Sequence, residues 1–481
     1  MPLDRRSAVL LRTVYTVTVI GIFLYFLMWQ VNFYLAESIK QGIYLFFPPV
    51  LLAGVLYFRK LKDGIEIKLV AAYLLWVVIT RIINGDRVLS KEYLFVLDLS
   101  LMLPFMSLGL VLDRAGRRRV LNWLSVILGV YFFMLGVLCI YTYITSRDLI
   151  NPITGGYLTA VFHKSKGVIT ALDTNPNTIA FWFMMPFLLM LYQLFSSKSK
   201  MLRVLIAFSG LTDLIVIVLT QCRSILAALS ICLGILGAIL AGEKLRVSRW
   251  GAALLILFVF ASSCAVSYMC FHGIYMLADR MRPSNTEVAS TSAQVGMAAV
   301  DIVLEPTVLS ARIPVSAQPE PQSVTVSYEY LNRRLSGRLE IFRGAYLALK
   351  EEPAILFRGQ STENLLVRTN AYLIWKTEAP KVQFHNYLLQ VLMLTGIPGL
   401  FLALSISLSL LFRCIRSFMD RKNQLKDRVF GLCAIACLLF GQMESGFFNY
   451  TDARTLFFYL TAGIVFGISR NNYNKPAFSD N

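Results

Sequence analysis

The chain has 481 residues, of which 57% are hydrophobic and 15% are charged, and its formal net charge is +18. A soluble globular protein of this size carries more charge and fewer apolar residues, so the composition predicts a polytopic membrane protein. The positive charge does not indicate a nucleic-acid partner, because the basic residues cluster in short loops between apolar segments, as the positive-inside rule describes.

Apolar segments long enough to cross a bilayer recur along the chain. We predict an all-α fold with about twelve membrane-spanning helices. The predicted spans are residues 11–34, 42–58, 67–84, 92–112, 119–145, 176–196, 202–221, 224–242, 250–272, 386–412, 428–447 and 455–470.

The loops that carry lysine and arginine predict the orientation. Basic clusters precede span one and follow spans two, four, six, eight and ten. All six clusters lie on the same side if both termini are cytoplasmic, which is the side that the positive-inside rule assigns to them. The pattern therefore predicts a multi-pass protein of a cytoplasmic membrane with both termini inside.

This orientation divides the chain into three parts. Residues 1–272 hold spans one to nine, with a short outward loop at 146–175. Residues 273–384 form one large extracytoplasmic loop, and residues 385–481 hold spans ten to twelve and a cytoplasmic tail. Within the large loop, residues 283–322 are rich in Ser, Thr, Pro, Ala and Val without a helical period, so irregular structure is expected there.

The second half of the large loop contains the pattern of one amphipathic helix. Ser336 is a suitable N-cap, and Pro353 marks the end. Apolar residues recur on one face, at Leu335, Leu339, Phe342, Tyr346 and Leu349. Arg338 lies in the first turn and Arg343 lies on another face. Two interpretations are open: the arginines bind an anionic substrate, or the helix is a basic amphipathic segment lying on the membrane.

A second arginine lies in a tight turn. Residues 202–241 are almost continuously apolar. As one helix they would extend about 60 Å, roughly twice the thickness of the hydrocarbon layer. The chain must therefore turn at the polar run Thr220–Ser224, on the predicted outer face. Arg223 in this turn either reaches the lipid headgroups or enters a cavity where it binds phosphate oxygens.

His385 is one of three histidines and precedes the long apolar segment Val391–Leu411. The N-terminus of a helix presents unpaired N–H groups and a positive dipole end. This favours the neutral imidazole, which can accept a proton, and it favours a bound anion. The alternative is an interfacial histidine without a chemical role.

Asp98 and Asp213 lie inside the predicted spans four and seven, and Glu444 lies near the outer end of span eleven. Such groups usually face the interior of a helix bundle and have a partner or a task, and the sequence leaves their partners open. None of the eight cysteines forms a CxxC pair, and no Asp-x-Asp or histidine-rich cluster is present. No metal and no cofactor are therefore expected.

Four runs of sequence resemble a known family. They are Asp173-Thr-Asn-Pro-Asn-Thr-Ile-Ala180, Cys222-Arg-Ser-Ile-Leu-Ala-Ala228, Ser336-Gly-Arg-Leu-Glu-Ile-Phe-Arg-Gly-Ala345, and His385-Asn-Tyr-Leu-Leu-Gln390 with Thr395-Gly-Ile-Pro-Gly399. In this order, they resemble the signature of the O-antigen ligase and polymerase superfamily of bacterial membrane proteins.

The resemblance implies a fold similar to the C-type glycosyltransferases and a place in the bacterial inner membrane. It also implies transfer of a glycan from undecaprenyl pyrophosphate to an acceptor sugar hydroxyl at the outer face of that membrane. The acceptor is lipid A core for a lipopolysaccharide ligase, or another lipid-linked glycan for a polymerase of capsule or exopolysaccharide. The sequence leaves this choice open.

The resemblance also suggests roles for individual residues. A lipid pyrophosphate is a good leaving group, so the reaction needs a base for the acceptor hydroxyl and cations for the developing negative charge. His385 is expected to be the base, and Arg223, Arg338 and Arg343 are expected to bind the pyrophosphate. No step of this scheme requires a metal.

Two other functions remain as alternatives. One is a flippase or exporter of lipid-linked oligosaccharide, and the other is a non-catalytic partner in a polysaccharide assembly complex. A flippase would not need a large outward loop that ends in an interfacial histidine, and such transporters often contain internal repeats, which this sequence does not show.

Overall fold

The structure is a computed structural model, and it describes residues 5–30, 64–84, 99–150, 157–163, 168–172, 175–244, 251, 261, 338–361, 384–419, 425–444 and 453–473. These residues are mostly helical. The helices are α1 (Arg5–Gln30), α2 (Ile65–Ile83), α3 (Met102–Val111), α4 (Arg114–Thr145), α5 (Pro176–Ser196), α6 (Lys200–Leu219), α7 (Arg223–Lys244), α8 (Arg338–Glu351), α9 (Ile355–Arg358), α10 (Tyr387–Met419), α11 (Leu425–Gly441) and α12 (Ala453–Tyr473).

Five helices within the described residues are long and apolar enough to cross a membrane, which confirms the prediction of a polytopic membrane protein. They are α4, α5, α6, α7 and α10. The predicted span at 176–196 coincides with α5, and the predicted turn between spans seven and eight lies between Leu219 and Arg223. The count of twelve remains a prediction, since span 42–58 and most of span 250–272 lie outside the described residues.

A small antiparallel sheet is an exception to the all-α expectation. It consists of β1 (Leu149–Ile150), β2 (Tyr157–His163) and β3 (Val168–Ala171) in the order β1-β2-β3, within the predicted short outward loop. All four residues of β3 are buried. The strand therefore lacks the alternation of apolar and polar residues by which a half-buried strand is recognised in a sequence.

Helix α5 lies at the centre of the bundle. Its residues are buried on every face from Thr178 to Leu189, as expected for a helix surrounded by others. It packs against α4, α6, α7 and α11, and Trp182 stacks on Phe132 of α4 with ring centroids 6.0 Å apart. The N-terminus of α5 therefore emerges from the middle of the protein.

Helices α3 and α12 approach each other backbone to backbone. A side chain at Gly109 would overlap the backbone of α12, and side chains at Gly463 and Gly467 would overlap the backbone of α3. Small residues spaced four apart allow this close contact between membrane helices. The contact fixes α12, whose first residues adjoin the polar site described below.

A second, smaller core attaches α8 and α9 to α10. Its buried members come from all three helices and from the residue before His385, and they are Ala345, Ala348, Ile355, Phe384, Met393 and Leu394. The predicted helix in the large loop is present, and it ends at Glu351, just before Pro353. This core fixes the position of α8, which carries Arg338, relative to the chain at His385.

Two glycines allow α9 to lie against α10. Gly396 interrupts α10 with φ 68° and ψ −173°, and Gly359 ends α9 with φ 65° and ψ −166°. Only glycine adopts this conformation readily. The backbone N–H of Gln360 donates to the carbonyl of Met393 at 3.0 Å, so the two segments are joined through their main chains.

Gly396→Ala is expected to destabilise the protein. A Cβ atom there would lie 2.6 Å from the carbonyl oxygen of Phe357, and the backbone conformation alone costs a non-glycine residue on the order of 1–3 kcal/mol. We expect a lower melting temperature in detergent. The control is Gly21→Ala, where a Cβ atom meets nothing within 4 Å and alanine favours the helix by about 1 kcal/mol. Equal stability of the two variants would contradict this account.

Candidate active site

His385 is held in a strained backbone conformation just before α10. Its φ is 50°, in the left-handed region that residues other than glycine adopt at a cost. On one side of it, Phe384 is buried in the smaller core. On the other side, the Asn386 side chain accepts a hydrogen bond from the N–H of Leu389 at 3.0 Å and so caps α10. Fixed neighbours on both sides therefore set the position of the imidazole.

Glu444 is the centre of the polar site. It follows α11, and its side chain is almost completely buried. One carboxylate oxygen lies 3.2 Å from Nδ1 of His385. The other oxygen accepts a hydrogen bond from Asn177 at 2.9 Å and lies 3.8 Å from the guanidinium of Arg338. A single carboxylate thus contacts residues from three other parts of the chain.

Glu444 carries a negative charge in this environment. Its carboxylate accepts a hydrogen bond from Asn177 and lies beside the guanidinium of Arg338, and both neighbours favour the ionised form. An ionised carboxylate only accepts hydrogen bonds. Nδ1 of His385 is therefore the donor in this pair, and Nε2 of the neutral ring keeps its lone pair.

The start of α12 closes the site from another direction. Arg454 is buried, and it donates a hydrogen bond to the hydroxyl of Thr178 at 3.0 Å. Its guanidinium also lies over the ring of Phe440, 5.8 Å from the centroid. Thr178 and Asn177 both belong to the first turn of α5, so the central helix contributes two polar side chains to the same region.

The turn that carries Arg223 adjoins this site. Burial raises the pKa of the preceding thiol, Cys222, and among the weaker influences the charge of Glu444 raises it further while that of Arg338 lowers it. Helix α7, which begins at Arg223, also packs against α11, which ends three residues before Glu444. The turn is tight, with Gln221 at φ 54°, and Arg223 is the first residue of α7, with an exposed side chain.

The sequence-predicted residues are thus distributed unequally around the site. His385 and Arg338 meet at Glu444, and Arg223 follows Cys222 at the edge. Arg343 is exposed and lies five residues after Arg338, which turns it about 140° around α8. Arg343 therefore lies on a different face of α8 from Arg338, as the sequence predicted.

Among the described residues, five helices begin at or beside this site. Asn177, Arg223, Arg338 and Arg454 lie in the first turns of α5, α7, α8 and α12, and His385 directly precedes α10. Each helix N-terminus carries roughly half a positive charge and unpaired N–H groups. Together with the arginines, these ends make the region around Glu444 favourable for a bound anion.

Sequence reasoning had not assigned Asn177, Glu444 and Arg454 to the site. Glu444 stands out in the sequence as an ionisable residue near the end of an apolar span, and Asn177 belongs to one of the family-like runs. Neither observation predicts a partner. Asp98 lies outside the described residues. Asp213 is fully buried in α6, and its two oxygens have no hydrogen-bond partner in the part of the chain that the structure describes.

The fold and the site define a membrane protein whose buried polar centre is built at the ends of its helices. Residues 208–404 match the family model for O-antigen ligase. The match confirms the resemblance to the O-antigen ligase and polymerase superfamily, and it supports a membrane glycosyltransferase activity of the ligase or polymerase kind. No curated protein and no solved structure matches the chain.

Proposed function

We propose that the protein transfers a glycan from undecaprenyl pyrophosphate to an acceptor sugar hydroxyl at the outer face of the bacterial inner membrane, without a metal ion. The observation that carries the proposal is the contact of His385 and Arg338 with the buried carboxylate of Glu444. His385, Arg338 and Arg223 all lie within the segment that matches O-antigen ligase.

His385 is the base in this proposal. The acceptor hydroxyl gives its proton to Nε2 of His385 while its oxygen attacks the anomeric carbon of the donor sugar. Glu444 holds Nδ1 at 3.2 Å, which orients the ring and stabilises the imidazolium that forms. Glu444 supplies the opposing charge once the proton has arrived.

The arginines bind the leaving group. The bond between the anomeric carbon and the pyrophosphate oxygen breaks, and its electron pair leaves with the pyrophosphate. The guanidinium of Arg338 is 3.8 Å from Glu444, which is longer than a hydrogen bond, so this contact leaves it able to bind phosphate oxygens. Arg223 is proposed to bind the same group from α7. Arg343 has the weakest support, because it lies on another face of α8.

Transfer by the purified protein tests the proposal. The protein in detergent is supplied with a lipid-linked glycan donor and, in separate reactions, with lipid A core or a second lipid-linked glycan as acceptor. We expect a transferred glycan and released undecaprenyl pyrophosphate, with the same rate in the presence of a chelator. Movement of intact donor across vesicles would favour a flippase, and activity only with added proteins would favour a non-catalytic partner.

Arg223→Lys should lose most of this activity. A lysine keeps the charge but cannot offer two parallel N–H donors to phosphate oxygens. Losing a hydrogen bond to a charged group costs about 1.5–3 kcal/mol, which corresponds to a rate that is roughly 10- to 100-fold lower. The control is Arg203→Lys in the first turn of α6, where the guanidinium donates a hydrogen bond to the carbonyl of Ser197 in the preceding loop. Equal losses in the two variants would remove the support for a phosphate ligand at Arg223.

A further inference from the structure

Helix α8 packs with its small residues inward and its aromatic residues outward. Its buried residues are Glu340, Gly344, Ala345 and Ala348. On the opposite face, Tyr346 is 64% exposed and Phe342 is 37% exposed. A helix at the surface of a soluble domain normally buries its large apolar side chains. The exposed aromatic face of α8 therefore favours an apolar environment over water.

Exposed apolar side chains also occur on α9 and on the membrane helix to which α8 and α9 are attached. Phe357 of α9 is 68% exposed, and its carbonyl packs against Gly396 at the break in α10. In the part of α10 that follows the break, Ile397 and Phe401 are 46% and 68% exposed. Helix α10 is long and apolar enough to span a membrane, so its exposed apolar side chains face lipid. The exposed aromatic residues of α8 and α9 therefore belong to segments that share a core with a lipid-facing helix.

The charges on the outward face of α8 fit a lipid surface. Arg343 and Lys350 are exposed, and by their spacing they lie on the same side of the helix as Tyr346. Aromatic rings together with basic side chains are typical of helices that lie at the boundary between headgroups and acyl chains. The rings enter the apolar layer, and the cations reach lipid phosphates.

We propose that α8 and α9 lie in the headgroup region of the leaflet that borders His385, with Phe342, Tyr346 and Phe357 inserted among the lipids. Arg338 then contacts the polar site from one face of α8, and Arg343 contacts lipid phosphates from another face. Arg338 is thereby held at the depth of the headgroups, where the pyrophosphate of a membrane-anchored substrate lies. This position of α8 and α9 among the headgroups follows from the protein being a membrane protein and does not depend on the proposed reaction.

Photo-cross-linking identifies what covers this face. Tyr346 is replaced by benzoylphenylalanine in the full-length protein in bilayer nanodiscs, and mass spectrometry identifies the adducts after irradiation. We expect lipid adducts, as at Phe401→benzoylphenylalanine, the positive control on α10. Glu351→benzoylphenylalanine is the matched negative control, because Glu351 is exposed on another side of the same helix and should give at least fivefold fewer lipid adducts.

Two results would overturn the proposal. Adducts between position 346 and peptides from residues 262–337 would show that the chain itself covers this face. Equal lipid labelling at positions 346 and 351 would show that the helix has no preferred side. The test is independent of glycan transfer, because the same pattern is expected when His385→Ala is combined with the probe. The experiment can thus contradict the lipid contact of α8 without contradicting the proposed reaction, and the reverse is also true.

Discussion

Replacement of His385 by alanine is expected to lower the rate of glycan transfer by about 10²- to 10⁴-fold, the usual contribution of a general base. The side chain is partly exposed and lies outside both hydrophobic cores, so folding and membrane insertion should be retained. Binding of the lipid donor should also survive, because the arginines and the helix N-termini supply it. Single-turnover kinetics with separately measured donor binding distinguish the two effects.

His385→Asn is a matched companion to the alanine variant. Asparagine adopts the left-handed backbone conformation of this position more readily than alanine does, yet its amide cannot accept a proton at neutral pH. We therefore expect both variants to lose glycan transfer to a similar extent, about 10²- to 10⁴-fold. Near-normal turnover in either variant would place the base elsewhere, with Glu363 and Asp173, both outside the described residues, as the next candidates.

Glu444→Gln is expected to reduce transfer by about 10²-fold or more, although glutamine has almost the same shape. The amide NH₂ can donate a hydrogen bond to Nδ1 of His385. The neutral imidazole can then adopt the tautomer with its proton on Nε2, where it can no longer accept the proton of the acceptor. The charge that stabilises the imidazolium is also lost. Glu66→Gln is the control, because Glu66 is also a buried carboxylate but lies away from the site. It begins α2 and pairs with Arg413 in the C-terminal part of α10, whereas His385 precedes the N-terminus of α10. Similar losses in both variants would point to general destabilisation.

The sequence by itself determined the class of the protein and, within the described residues, the approximate positions of its long apolar helices; His385, Arg338 and Arg223 are its proposed site residues. These are local properties: hydropathy over about twenty residues identifies a span, and the capping pattern places Arg338 in the first turn of α8 and His385 before α10. The family-like runs added the expected chemistry, and residues 208–404, which hold three of these runs, match the family model for O-antigen ligase.

The tertiary structure alone decided which side chains meet. Glu444 contacts His385 across 59 residues and Asn177 across 267 residues of chain. Contacts at such separations depend on how helices pack, and no local pattern encodes them. Packing also decided that α8 turns its aromatic face outward, because Ala345 and Ala348, and not Phe342 or Tyr346, join the core that contains Met393 and Leu394 of α10.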